Sequence, residues 1–210
     1  MTENNKDLFT GIYRSNHWGS SESLSGPGSE LRQTAAARDA FDDVVSTQGI
    51  NSVLDVPCGD NNWLPHTKTF SQLKSYIGMD IVDELIKQNR KAFAANNVKF
   101  TVGDITKSGL PSQDLVLVRD CLVHLSSQDG IKAVNNLIRS GSTYLLMTHF
   151  PAVESNADTS GTHWRPLNME KAPFNFPPPI TFYSTDYTDN GRHYPGNGMG
   201  LWRITDLSVI

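Results

Sequence analysis

The chain has 210 residues, 38 % hydrophobic and 19 % charged, which suits one domain able to fold without metal or disulfide staples. Lys and Arg number 18 against 22 Asp and Glu; a net charge of −4 argues against a large nucleic-acid footprint, where clustered positive charge must replace phosphate counterions. Two cysteines make no disulfide framework, the opening MTENNKDLFTG has no apolar signal core, and no apolar run approaches the ~20 residues that span a bilayer, so a cytoplasmic protein away from membranes is expected.

Residues 1–28 are rich in Ser, Gly and Asn and read as a loop or flexible cap. A helix is expected from about Ser29, with Ser29 as its cap and Leu31, Ala35, Phe41, Val44 and Val45 as its apolar face. NSVLDV (51–56) is a short apolar run stopped by Pro57, Cys58 and Gly59, and so a buried strand. SYIGMDIV (75–82), VKFTVGDI (98–105), DLVLVRD (114–120) and STYLLMTHF (142–150) are four more. DELIKQNRKAFAANN (83–97) and SQDGIKAVNNLIRSG (127–141) are helices, the first ended by Asn96 and Asn97 and the second by Gly141. Strand and helix alternating in this way imply a parallel sheet covered on both faces. From Pro151 the chain turns rich in proline and aromatics and should leave the sheet as an irregular excursion. TFYSTDY (181–187) and GLWRITDLSVI (200–210), joined by the Gly-rich DNGRHYPGNGMG, then form an antiparallel hairpin at the sheet edge.

Chemistry in such a sheet belongs at the carboxyl ends of the strands. VLDVPCGDNNWL (53–64) puts Asp55 there, and Gly59 lets a ligand approach the backbone. A helix following that loop would offer its N-terminus to a negative group. The G-x-G-x-x-G pattern is absent, which weakens the case for a pyrophosphate ligand.

LDVPCGD resembles the first motif, D-x-G-x-G, of the class I S-adenosylmethionine-dependent methyltransferases, with Pro57 where that family commonly has glycine. MDI (79–81), VGDI (102–105) and LVRDCLVHL (117–125) match its later motifs in order, so the resemblance covers most of the chain. It implies an α/β, Rossmann-like, seven-stranded and mostly parallel sheet flanked by helices, with a terminal antiparallel hairpin. It also implies S-adenosyl-L-methionine as cofactor, bound around Asp55, Pro57, Cys58, Gly59, Trp63 and Arg119. Asp80 with Ile81 would meet the ribose hydroxyls, and Asp104 with Ile105 the adenine amino group. More narrowly, IYRSNHWGSSESLSGPGSE, RDCLVHLS, HWRPLNMEKAPFNFPPP and GLWRI resemble a subgroup found alone or beside glycosyltransferases in bacterial and viral glycan pathways. That implies a sugar hydroxyl as acceptor, and a glycosyltransferase domain or partner. The whole of 1–210 is then one methyltransferase domain: a cap over 1–28, a cofactor core over 29–150, and an acceptor-side excursion with hairpin over 151–210. The alternatives are methylation of N or O on a non-sugar metabolite, or a non-catalytic module that only binds the cofactor.

A hydroxyl acceptor needs a base. Asp120 at the end of the fourth strand is the first candidate, with His149 at the end of the fifth and His124 four residues beyond Asp120 as the others. Asp120, His124, His149 and His163 include donor types that metals accept, but no pair has the tight spacing of a metal motif, and no metal is expected. Small buried cysteine is the commoner fate of Cys58 than a catalytic thiol. Ser25 and Gly26, with Trp18 and His17 nearby, could fold over a bound molecule and exclude water. His163, Trp164 and Arg165 offer an aromatic face and hydrogen-bonding groups to the acceptor.

Overall fold

A computed structural model of the protein describes residues 5–107, 109–159, 163–185, 188–189, 192–193 and 196–210. The central strand is β4 (Leu115–Val118), buried at every residue because both of its faces are covered. On one side β1 (Ser52–Asp55), β2 (Ser75–Asp80) and β3 (Val98–Val102) run parallel to it, and on the other β5 (Tyr144–His149) does the same. Beyond β5 the direction reverses: β9 (Gly198–Arg203) inserts antiparallel between β5 and β6 (Thr181–Ser184). The seven-stranded order is β3-β2-β1-β4-β5-β9-β6, mostly parallel with the expected antiparallel hairpin. A separate pair, β7 (Thr188–Asp189) and β8 (Arg192–His193), lies within the hairpin connection. No described helix is long and apolar enough to cross a membrane.

Strand side chains alternate between two cores, as period-two geometry requires. Leu54, Val116, Val118, Leu145 and Met147 point to one face, against Ala133, Val134 and Leu137 of α4 (Ser127–Arg139) and Trp202. Val53, Leu115, Leu117 and Leu146 point to the other, against Phe41, Val44 and Val45 of α2 (Ala35–Gln48) and Ile86 of α3 (Asp83–Phe93). Ser126 caps α4 by accepting the Asp129 amide, and Gly141, at φ +67, follows its last turn.

Four expectations change. The cap contains a helix, α1 (Asn5–Ser15), whose Phe9, Ile12 and Tyr13 form a face at helical spacing. The helix expected from Ser29 begins at Ala35; residues 27–29 make only a 3-10 turn, and the Leu31 amide is given to Glu22 instead of to a helix. Ala35 is exposed, and Ala37 and Ala40 take its place on the buried face. α3 stops at Phe93, since Ala94 is extended and Ala95 pairs back with Val98, four residues short of Asn97. Finally, β1 is followed by the 3-10 turns Leu64–His66 and Phe70–Gln72 in place of a helix. There Asp42 of α2 accepts the Lys68 and Thr69 amides and the Thr69 hydroxyl, which ties the crossover down without one. All five parallel strands and both hairpin strands end short of the sequence bounds, and β9 begins at Gly198, two residues before its expected start. Residues 186 and 187 of the expected strand, 190, 191, 194 and 195 of its turn, 160–162 of the excursion and 1–4 of the cap lie outside the described residues.

Trp202 locks the hairpin to the sheet. It is fully buried, donates to the Pro177 carbonyl at 2.8 Å and meets His149 and Phe176 edge-on. Trp202→Ala should lower the unfolding free energy by about 3–5 kcal/mol, the cost of a large buried aromatic. Urea denaturation showing a loss below about 1 kcal/mol would mean the hairpin packs without it.

Candidate active site

The carboxyl ends of β1 to β4 open into one cavity of about 470 Å³. Gly59, at φ +53, makes the turn after β1. Its amide donates to Asp80 Oδ2 at 3.0 Å, and the Val82 amide donates to Oδ1 at 3.0 Å, so the Asp80 carboxylate ties the two strand ends together. Asn89 of α3 supports the same turn by donating to the Gly59 carbonyl at 2.7 Å. Asp55 is held by the Tyr76 hydroxyl at 2.9 Å. Both carboxyls are buried, and burial raises the proton affinity of each. Asp55 is pushed up to about 7, with nearby Asp80 adding to the effect and Arg119 opposing it. Among the described residues neither has an ion-pair partner.

Asp104 beyond β3 is arranged differently: Thr106 donates to it through both amide and hydroxyl, and Lys107 pairs with it at 3.2 Å. Pro57, Cys58, Trp63, Ile81 and Ile105 line the cavity beside these acids. Burial pushes the Cys58 and Cys121 thiols up, so neither is poised as a thiolate.

The roof comes from the N-terminal segment. Phe9 and Tyr13 of α1 face the cavity, followed by His17, Trp18 and residues 24–29. α1 is pinned by Lys6 to Asp83 at 2.6 Å, by Arg14 to Glu84, and by Asn5 to Asp129 at 3.0 Å. The loop after it is pinned by Asp60, which accepts the Ser23 hydroxyl at 2.9 Å, the Leu24 amide at 2.7 Å and the Ser25 hydroxyl at 3.1 Å. Asp60, Tyr76, Asn89 and α1 were not visible as site residues from sequence. For α1 the spacing of Phe9, Ile12 and Tyr13 was the available signal; the other three lack one, because their partners are distant in the chain.

At the end of β4, Asp120 sits at φ +49, an uncommon conformation for a residue with a side chain. Its amide donates to Thr148 Oγ1 at 2.8 Å, and that hydroxyl donates back to Asp120 Oδ1 at 3.1 Å. Arg119 pairs with Oδ2 at 3.2 Å, donates to the Gly28 carbonyl at 2.7 Å, and lies 5.6 Å from the Trp63 ring centre. His124 stacks 5.4 Å from Trp18, and Trp164 meets Phe150 edge-on; His124, His163 and Trp164 all line the cavity.

Two candidates lie elsewhere. His149 is fully buried outside the cavity wall, between Phe182 and Trp202. Its Nδ1 accepts the Met169 amide at 3.2 Å, which puts the proton of the neutral ring on Nε2, facing Glu170 at 3.2 Å. Both nitrogens are used in packing the excursion onto β5. Arg165 is also buried, and its guanidinium donates to the carbonyls of Ala157, Leu122 and Val123. It holds the excursion to the turn after β4 and does not line the cavity. Among the described residues no three His, Cys, Asp or Glu side chains gather to hold a metal.

Comparison with known proteins bears on the fold. Residues 53–141 match the family described as "Methyltransferase domain". Among curated proteins no sequence matches the chain. Human N-acetylserotonin methyltransferase, solved with S-adenosylmethionine, superposes with a TM-score of 0.58 at 16 % identity, over 96 % of this chain but only 60 % of the human one. Magnesium protoporphyrin IX methyltransferase from Synechocystis PCC 6803 gives 0.65 at 11 % identity over 96 % and 98 % of the two chains. Phosphoethanolamine N-methyltransferase 1 from Haemonchus contortus gives 0.52 at 19 % identity over 79 % and 39 %. The fold is the Rossmann-like methyltransferase fold, and residues 53–141 within it match a methyltransferase domain.

Two outcomes follow from these environments. Arg165→Ala should cost about 2–3 kcal/mol of stability, because it strips buried carbonyls of a charged donor; unchanged urea denaturation would return Arg165 to the list of acceptor ligands. For Asp55, the folded-state value of about 7 stands above its ordinary 3.8. Between these values the folded state holds a proton that the unfolded state lacks, so this group's contribution falls as pH rises from about 4 to 7 and stays low above. Asp55→Asn should therefore be more stabilising, or less destabilising, at pH 8 than at pH 5. An identical effect at both pH values would show that Asp55 is not a strained carboxylate.

Proposed function

We propose that the protein transfers the methyl group of S-adenosylmethionine to a hydroxyl of a small polar acceptor, and that this acceptor is a sugar in glycan synthesis. The observation that carries the reading is Asp120, a carboxylate on the cavity wall at the end of β4, aimed by Thr148 and Arg119. A group fixed on both oxygens in this way suits a base that must meet one particular hydroxyl.

The residues present fit the cofactor. Asp55 and Asp80 are buried acids with hydrogen bonds but, among the described residues, no ion-pair partner, so a ligand carrying positive charge would complete them. Bound there, S-adenosylmethionine supplies an activated methyl on its sulfonium. Asp80, already accepting the Gly59 and Val82 amides, would accept the ribose hydroxyls as well. Asp104 and Ile105 take the adenine end. Trp18, Ser25 and Gly26 close the roof and exclude water. His163 and Trp164 would present ring faces to the acceptor, and Asp120 would take the proton that the acceptor hydroxyl gives up. The sugar reading is supported by that aromatic wall and by the sequence resemblance to enzymes beside glycosyltransferases, which also makes a glycosyltransferase the expected partner. Both cysteines are free thiols, as in a cytoplasmic protein.

Asp120→Asn keeps the shape and removes the basicity. It should cut turnover at least ~100-fold with cofactor affinity nearly intact, the mark of an interaction made in the transition state. Normal turnover of Asp120→Asn with an inactive His124→Ala would move the base to His124. Asp80→Ala should weaken S-adenosylmethionine binding by ~1–3 kcal/mol in calorimetry, and unchanged affinity would take Asp80 out of the site. Methyl transfer across a panel of sugars and amines tests the acceptor; methylation of amines and of no sugar would replace the sugar reading.

A further inference from the structure

Residues 20–30 form a strap whose fixings are polar. Ser20, Ser23 and Gly26 are its buried residues, so it carries no large apolar anchor. Ser20 donates to Glu30 at 2.8 Å, Glu22 binds the Leu31 amide and Asn62, and Arg119 holds the Gly28 carbonyl. The densest fixing is Asp60. Its two carboxylate oxygens accept the Ser23 hydroxyl, the Leu24 amide and the Ser25 hydroxyl, while its own amide donates to Ser25 Oγ at 3.0 Å. Ser25 can come this close only because residue 59 is glycine: a Cβ there would stand 2.2 Å from Ser25 Oγ. Immediately after these bonds, residues 24–29 run along the cavity as its wall.

We propose that Asp60 is a positioning residue: by clamping residues 23–25 onto the turn after β1 it makes residues 24–29 the wall of the cofactor cavity, and breaking this clamp is the step that lets cofactor exchange. The proposal rests on the methyl-transfer reading for the identity of the ligand, but not for the clamp. Local opening draws on segments with few buried apolar contacts, and this strap is one. Its hydrogen bonds to a carboxylate are of the stronger, charge-assisted kind, so removing the charge should release it. The rest of the cavity, on the strand ends, does not depend on Asp60.

The test is Asp60→Asn, which keeps the size but turns one acceptor oxygen into a donor facing other donors. Hydrogen exchange of the amides of residues 20–29, measured without cofactor, should speed up at least ~10-fold. Release of S-adenosylhomocysteine in stopped flow should speed up by a similar factor. KM for S-adenosylmethionine should rise while kcat at saturating cofactor stays within ~2-fold, a split expected when binding alone is lost. Ser23→Ala, at a residue that does not line the cavity, removes a donor to both Asp60 oxygens from the other side and should shift exchange and release in the same direction, so the outcome survives if Asp60→Asn folds poorly. Unchanged exchange in residues 20–29 in both variants, or a fall in kcat with KM unmoved, overturns the proposal. If the unaltered protein binds no S-adenosylhomocysteine, the cofactor reading and the exchange role fall together, and the amide measurement still decides whether Asp60 is the clamp.

Discussion

Two buried carboxyl groups with no ion-pair partner among the described residues govern this site. Asp55 and Asp80 stand at adjacent strand ends, each hydrogen-bonded but unpaired. Burying such groups costs stability, and the protein meets the cost in part by holding Asp55 near neutrality, at about 7. Asp80 ties the ends of β1 and β2 together, but the arrangement leaves both acids without an ion-pair partner among the described residues. It becomes useful when a cationic ligand enters, because attraction between charges is stronger beside buried carboxylates than in water.

The rest of the molecule serves that cavity. The parallel strands bring four acids to one edge: Asp55, Asp80 and Asp104 on the side of β1 to β3, and Asp120 beyond β4. Arg119 divides them, neutralising Asp120 while holding the roof through Gly28. The roof itself is fastened to acids: Asp83, Glu84 and Asp129 in the first turns of α3 and α4, and Asp60 in the β1 loop. The exposed pairs on α1 are each worth little. The Asp60 cluster, half-buried and joined by several donors, is the stronger fastening.

Much of this was legible in sequence, for a definite reason. The five parallel strands are short, mostly apolar runs, and the acids at or just past the ends of β1 to β4 mark the edge where ligands bind. What sequence hid depended on burial and distant partners. Arg165 sits in a segment rich in aromatics and looks like an acceptor ligand, and His149 at the end of β5 looks like a base. Only the fold shows Arg165 spent on three carbonyls and His149 on Met169 and Glu170. Polar composition masked α1, and the crossover after β1 gave no warning that Asp42, at a helix surface, would do the work of a helix.

The most direct measurement is calorimetry of S-adenosylmethionine binding between pH 5 and 8 in buffers of different ionisation enthalpy. A sulfonium beside Asp55 favours its ionised form, so binding below pH ~7 should release a proton and tighten as pH rises toward that value. S-adenosylhomocysteine, with no charge on sulfur, should show a smaller dependence on both pH and buffer. Affinities and enthalpies for the two ligands that ignore pH and buffer alike would contradict a cavity built on unpaired buried acids.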